Sequence, residues 1–517
     1  MTRREFIRST TAAVVAAGVA NSVIAQTLSQ SLPSVAAPRR KLNVLLIWTD
    51  QQRFDTLAAY GNNFIQAPTL NKLASQSVIF QRHYVAQAVC TPSRATVMTG
   101  LYPHQHQCIV NNSLLNPQIR CLPELLSDPS YRTGYIGKWH LGDEIFPQHG
   151  FEEWQATEDG YDVFFSPGHD QKQRSAYHHW LVEKGYKPDV TERNAFSRKY
   201  CTTLPIEHCK PAFIAEKAVD FLQRYRNESF ILSCNYLEPH NPFNGPLNGL
   251  HDPAALPLPD NCRDDLDGND PLRYRLNAEQ SASKQRADNF AKLRETYAIY
   301  YGMISQVDRS VASILKAVDD LGLAENTIVV FTSDHGEMMG SHGMSGKTFM
   351  FEESVRTPLM FCIPGVAGGR KISQPVCNVD IVPTVLELLG SKAGESLPGQ
   401  SLVPLMQGKP PAEDHVFMEW NAQVGPDEDK PAKTKASAIA TPEQVKAALA
   451  ENTRAVVSPD GWKFCLSDAD KGQLYHLAAD PGETTNLFSS PPHRDVVERL
   501  TKRIHDWQLR TGDTLKV

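Results

Sequence analysis

Four stretches of this 517-residue sequence place chemically able side chains directly after an apolar run of strand length. Asn43-Val-Leu-Leu-Ile-Trp48 leads into Thr49-Asp50-Gln51, and Tyr131 to Gly137 leads into Lys138, Trp139 and His140. Phe230 to Tyr236 precedes Glu238, Pro239 and His240, and Thr327 to Thr332 precedes Ser333, Asp334 and His335. In a parallel sheet the loops at the carboxyl ends of the strands converge on ligands, so these groups are expected along one edge. That edge would receive three carboxylates, a Gln, three His and a Lys. Asp50, Gln51, Asp334 and His335 combine oxygen donors with one imidazole, a set suited to a divalent cation, Ca2+ first and Mn2+ or Mg2+ behind it. Taken singly, each residue also has a structural reading: an Asp after a strand often only caps a helix, and Lys138 could be a solvated strand-end side chain.

A second cluster is Cys90-Thr-Pro-Ser-Arg94, followed by Ala95-Thr-Val-Met-Thr99-Gly100. By itself it could be a buried Cys ahead of a Pro-initiated helix. The run C-x-P-S-R followed by T-G resembles the signature of the formylglycine-dependent sulfatases of the alkaline-phosphatase-like superfamily. The resemblance extends in order through Asp50 to Arg53 with Asp55, Gly100 to His104, Gly137 to Gly142, Pro239-His240, Thr332 to Glu337, Gly346-Lys347, Glu353 and Arg356 to Pro358. It reaches Leu474 to Leu477 and Asp480 to Leu487 near the end of the chain.

The resemblance implies a sulfuric ester hydrolase whose Cys90 is converted to formylglycine by a formylglycine-generating enzyme, a partner during maturation. It implies Asp50, Gln51, Asp334 and His335 as metal ligands, Arg94 as the holder of the formylglycine hydrate, and Lys138 and Lys347 as binders of the sulfate oxygens. His140 and His240 would move protons: His140 takes one from the hydrate so that sulfate can leave, and His240 protonates the departing alcohol. Gln51 stands where many members carry a second Asp, a departure shared with phosphonate monoester hydrolases and choline sulfatases. The expected substrate is a carbohydrate sulfate, either a sulfated small molecule or an oligosaccharide. Phosphonate monoester or phosphodiester hydrolysis and aryl or choline sulfatase activity are the alternatives. His104 and His106 are expected to shape the loop behind the nucleophile, and Glu353 to form an ion pair with Arg356.

The elements that must position these groups are legible from periodicity. Continuous apolar strands alternate with helical patterns such as Val307, Val311, Ile314, Leu315, Val318 and Leu321, which Gly322 closes. Together they predict an α/β fold, a large mostly parallel sheet sandwiched by helices, as in the alkaline-phosphatase-like proteins. Near Pro411 the pattern changes. Arg454 to Ser458 and Trp462 to Leu466 read as a hairpin across Pro459-Asp-Gly461, and Val496, Val497, Leu500, Ile504 and Trp507 mark one helix face. The predicted organisation is an export signal over residues 1–25, a linker over 26–40, a catalytic domain over 41–410 and a smaller α+β subdomain over 411–517. Residues 160–210 and 241–292 read as polar insertions suited to substrate contacts, and Gly425 to Lys435 as a charged loop.

Thr2-Arg3-Arg4-Glu5-Phe6-Ile7-Arg8 followed by an apolar small-residue run looks like a twin-arginine export signal, so a periplasmic or secreted location is expected, with no membrane anchor. With 52 Lys and Arg against 58 Asp and Glu, the net charge of −6 gives no reason to expect a nucleic-acid partner. The ten Cys are scattered without zinc-like pairing, and a chain of this size needs no disulfide framework.

Overall fold

The computed structural model describes residues 41–287, 290–422 and 437–517. The export signal, the linker and the Gly425 to Lys435 loop lie outside the described residues. The large sheet is built from β1 (Asn43–Thr49), β2 (Val78–Tyr84), β3 (Tyr131–Gly137), β4 (Glu153–Ala156), β5 (Ser229–Asn235), β6 (Thr327–Ser333), β7 (Arg356–Cys362), β8 (Arg370–Ile372) and β9 (Val376–Cys377). Its order is β4-β3-β5-β1-β6-β7-β2-β8, with β9 also on β2. Of these strands β7 alone runs against the rest, antiparallel to both β6 and β2. The sheet is therefore mostly parallel, and the four strands read from the sequence form its centre.

Those four are continuous apolar runs because both faces of the sheet are covered. On one face Leu45, Ile47, Leu232, Val329 and Phe331 share a core with Phe213, Ile214 and Phe221 of α2 (Lys210–Arg224) and with Ile304, Val307, Val311 and Ile314 of α3 (Ala291–Asp320). On the other, Val44, Leu46, Trp48, Ile231 and Val330 meet Ala95, Val97 and Met98 of α1 (Cys90–Thr99) and Val382, Val385 and Leu386 of α4 (Ile381–Leu388). The period of two along each strand thus assigns alternate side chains to the two cores. Gly322, at φ 67°, ends α3 in the left-handed conformation that a glycine adopts without strain.

The shorter, less regular strands were not legible. β2 contains half-buried Gln81 and Arg82 and a register shift between Phe80 and His83, while β7 opens on Arg356-Thr-Pro358. A second sheet has the order β10 (Val416–Trp420), β11 (Thr453–Val457), β12 (Trp462–Ser467), β13 (Gln473–His476), with all three pairings antiparallel. β11 and β12 form the expected hairpin, with Gly461 at φ 93° in its turn. Leu500, Ile504 and Trp507 of α5 (Arg494–Thr511) share a core with Phe417, Val456, Phe464 and Leu474. Among the described residues no helix is long and apolar enough to cross a membrane.

Candidate active site

Register brings the strand ends together. Asn235 at the end of β5 pairs with Gly137 of β3 on one side and with Trp48 of β1 on the other, and Trp48 pairs in turn with Thr332 of β6. The residues that follow leave the sheet along one line. At Gly137 the turn admits no side chain: its φ is 119°, and a Cβ would lie 1.8 Å from the Asn235 carbonyl oxygen. This close approach aims Lys138 into the site, and the Lys138 amide donates to the same carbonyl at 3.1 Å.

Cys90 is the first residue of α1, every residue of which is buried. Arg94 lies one turn later on the same face. Its guanidinium, over the Trp48 ring at 4.8 Å, donates to Asp334 Oδ2 at 2.9 Å, to Asp50 Oδ2 at 3.0 Å and to the Lys138 carbonyl at 2.8 Å. Lys138 Nζ donates to the same Asp50 oxygen at 2.5 Å. One oxygen of each carboxylate is thus taken up by cations. The other two, Asp50 Oδ1 and Asp334 Oδ1, both lie 3.7 Å from His335 Nε2. The His335 Nδ1 proton goes to the Gly336 carbonyl at 2.9 Å, so Nε2 offers its lone pair inward, 3.1 Å from Cys90 Sγ.

Asp50, Cys90, Asp334 and His335 therefore converge, with one possible ligand atom from each lying within 4.8 Å of the others. Two carboxylate oxygens and an imidazole fit a divalent cation. Gln51, the fourth expected ligand, sits beside them with its side chain otherwise engaged. Its amide oxygen accepts from Lys347 Nζ at 2.6 Å, its Nε2 donates to Glu337 at 2.5 Å, and its backbone N–H donates to Asp334 Oδ1 at 3.0 Å.

The two carboxylates differ in electrostatic setting. Burial and the Cys90 thiolate charge would raise Asp50, but Lys138, His240 and Arg94 overcome this and hold it below the usual carboxylate range. Burial and the neighbouring Asp50 charge push Asp334 up, against His335 and Arg94. Burial also opposes ionisation of Cys90, yet Lys347, Lys138 and His335 bring its thiol well below the ordinary range. The setting is one that stabilises negative charge on the residue 90 side chain and on an anion bound against it.

His140 is held from several directions. Its amide and that of Trp139 donate to the Glu144 carboxylate at 2.6 and 2.9 Å, and its ring stacks on Tyr161 with centroids 4.4 Å apart. Ring Nε2 donates to Asn112 Oδ1 at 2.8 Å. Thr91 Oγ1 ties this contact to the nucleophile, donating to the His140 carbonyl at 2.9 Å and accepting the Asn112 amide at 3.1 Å. Burial and the Lys138 charge push the imidazole down to about 3, so it is neutral. The ring also interacts with the Cys90 thiol, and with Nε2 committed, the nitrogen able to take a proton is Nδ1, which is buried without a hydrogen-bond partner. His240, half-buried, donates from Nδ1 to the Asn241 carbonyl at 2.6 Å and interacts with Cys90.

The sequence reading missed Asn112, Glu144 and Tyr161, and gave no role to Glu337, which it placed only within the Thr332 to Glu337 block. Asn112 looks like ordinary loop chemistry in Asn111-Asn112-Ser113, and nothing in its spacing points to His140. His106 bonds Thr96 Oγ1 at 3.1 Å and accepts the Cys108 amide at 3.1 Å, while His104 Nδ1 meets Glu419 at 2.6 Å; both brace the loop after α1. One expectation is corrected. Arg356 pairs with Glu352 at 3.2 Å, and Glu353 instead accepts from Asn261 at 2.7 Å, because the turn before β7 carries the two adjacent carboxylates in different directions.

A sequence profile of the family described as Sulfatase matches residues 42–391. The chain is 26% identical to the N-acetylglucosamine-6-O-sulfatase of Bacteroides thetaiotaomicron, over 93% of this chain and 90% of that one. It is 27% identical to the choline-sulfatase of Rhizobium meliloti, over 92% of this chain and 88% of that one. The crystal structure of the phosphonate monoester hydrolase of Agrobacterium radiobacter superposes with a TM-score of 0.71 at 26% identity, covering 91% of this chain and 96% of that one.

Proposed function

Since the chain belongs to the sulfatase family of the alkaline-phosphatase-like superfamily and is a sulfuric ester hydrolase, we propose that it removes sulfate from a carbohydrate sulfate ester, using formylglycine made from Cys90 as its nucleophile. The observation that carries this reading is the convergence of Cys90 with Asp50, Asp334 and His335 beneath Arg94 and Lys138. Asp50, Asp334 and His335, with Gln51 alongside, would hold a divalent cation, Ca2+ first and Mn2+ or Mg2+ next, whose charge would offset that of the ester oxygens.

The chain's own groups divide the remaining work. Lys138 and Lys347, both acting electrostatically on residue 90, bind the sulfate oxygens from two sides. Arg94 bridges Asp50 and Asp334 and keeps them in register, and lies close enough to residue 90 to steady its hydroxyls. His140 accepts a proton at Nδ1 from the residue 90 side chain, which frees sulfate. His240, less buried than His140, donates a proton to the departing sugar oxygen, since an alkoxide leaves poorly without one.

A carbohydrate substrate is supported by the N-acetylglucosamine-6-O-sulfatase relative and by the polar segments 160–210 and 241–292, the first of which supplies Tyr161 against His140. The second reading, phosphonate monoester hydrolysis, is favoured by Gln51 and by the similarity to the Agrobacterium enzyme. Rates on defined sulfated mono- and oligosaccharides, p-nitrophenyl sulfate and phenyl phosphonate esters decide between them. A sugar sulfate should be preferred, and a dominant phosphonate rate would reverse the assignment. Mass spectrometry of the Cys90 peptide should find an aldehyde after coexpression with a formylglycine-generating enzyme. An active protein carrying only the thiol would remove the nucleophile from this scheme. Arg3 and Arg4 direct the chain to the periplasm in this reading, so replacing both by Lys should retain it in the cytoplasm; unchanged export would refute the signal.

A further inference from the structure

Behind the loop that carries Lys138 and His140, three residues from two separate segments bring a thiol, a carboxylate and an imidazole together. We propose that Cys121, Glu124 and His149 form a second cation site, distinct from the one at the nucleophile, for a thiophilic divalent ion of the zinc type. One possible ligand atom from each lies within 4.8 Å of the other two. Cys121 is fully buried and His149 is 8% exposed.

The local structure explains the convergence. Cys121 caps the short helix Leu122–Leu126, and Glu124, its third residue, folds its carboxylate back to accept the Cys121 amide at 2.9 Å. The sulfur and the carboxylate therefore face the same end of the turn. His149 arrives from the loop before β4 at φ 51°, followed by Gly150, which packs so tightly on that turn that a Cβ would lie 2.8 Å from Glu124 Cγ.

Two observations point to a ligand. His149 Nδ1 is buried and has no hydrogen-bond partner, although Glu124 Oε2 is 3.6 Å away. That separation is too long for a hydrogen bond, which needs about 2.7–3.2 Å. It is close to the spacing of two donors on one tetrahedral ion, since metal–ligand bonds of about 2.0–2.3 Å put donor atoms about 3.3–3.8 Å apart.

Sulfur with imidazole selects zinc-like ions over calcium or magnesium, and Cys121 would release its proton on binding. A water would complete four ligands. The ring of Trp139, the residue between Lys138 and His140, lies against His149 with centroids 5.8 Å apart. An ion here would brace that loop from behind, adding stability without taking part in the reaction.

The test is zinc titration of chelator-stripped full-length protein, with Co2+ as a spectroscopic probe, in a Cys90→Ala background. That background keeps the result independent of whether formylglycine forms. A thiolate-to-Co2+ charge-transfer band and a zinc equivalent beyond the one at Asp50, Asp334 and His335 are expected, and both should vanish in Cys121→Ser and in His149→Phe. Because Cys121 is buried and its variant could misfold, His149→Phe, in a loop, carries the result independently. In the otherwise native enzyme His149→Phe should lower the zinc-dependent rise in Tm while leaving turnover within about twofold, as expected for a site that touches no reacting atom. No Co2+–thiolate band under excess metal, or a band and equivalent that both variants retain, would overturn the site.

Discussion

His140 Nε2 donates to Asn112 Oδ1 at 2.8 Å, and this bond decides which nitrogen of the imidazole is free to act as base. An amide oxygen accepts only, so the pairing stabilises the tautomer whose lone pair is on Nδ1. Asn112→Ala should lower kcat by up to about a hundredfold, the lower end of what a positioned base contributes. Asn112→Asp makes a sharper test. A carboxylate at this position favours the imidazolium, so the His140 pKa rises from its depressed value of about 3. Only the neutral ring accepts a proton, so the acidic limb of kcat should move to higher pH in Asn112→Asp and not in Asn112→Ala. Unchanged pH profiles in both would reduce Asn112 to a loop contact.

His240 and His140 should separate by leaving group. A sugar oxygen needs a proton as it departs and a nitrophenolate hardly does, so His240→Ala should cost about a hundredfold or more on a sugar sulfate and far less on p-nitrophenyl sulfate. His140→Ala slows sulfate release, a step shared by all substrates, and should depress both rates alike. Equal losses for His240→Ala would make that residue a positioner of substrate.

Arg94 bridges Asp50 and Asp334, so its geometry matters as well as its charge. Asp334→Ala should abolish both the active-site cation and turnover, checked by elemental analysis beside circular dichroism. Arg94→Lys keeps the charge but cannot span both carboxylates, and should weaken cation binding by about tenfold or more. Full metal content and full rate in Asp334→Ala would refute the cation site.

Lys463 is a stability determinant that takes no part in the chemistry. It is buried between Glu352 at 3.0 Å and Glu483 at 2.5 Å, tying β12 to the segment before β7. Lys463→Met leaves two buried carboxylates without their shared cation and should cost about 3–5 kcal/mol in denaturant unfolding. Burial already holds Glu483 up at about 7 against Lys463, so without the lysine its folded-state pKa rises further above the unfolded value, while Glu352, which keeps Arg356, rises from its lowered value. The Glu483 contribution is then fully present at low pH, where that group is protonated, and is lost as pH rises through its raised value. The gap from wild type should therefore widen from about pH 5 to about pH 8. A gap that is small at both pH values would show that water screens the cluster.

The sequence by itself determined the features that depend on neighbours in the chain. β1, β3, β5 and β6 are legible because a strand covered on both faces must be apolar throughout, and the residues after them are then bound to reach one sheet edge. The Cys90 to Arg94 run, the Gly322 helix end and the turn at Gly461 are local in the same sense. Tertiary structure alone decided the rest: the reversal of β7, the pairing of Arg356 with Glu352 rather than Glu353, the Arg94 bridge, and the meeting of Asn112 with His140 and of Cys121 with His149. The members of each of these last two pairs are 28 residues apart with no shared periodicity. Their contact follows from how loops settle on a finished core, and loop side chains carry no repeating pattern from which such a contact can be read.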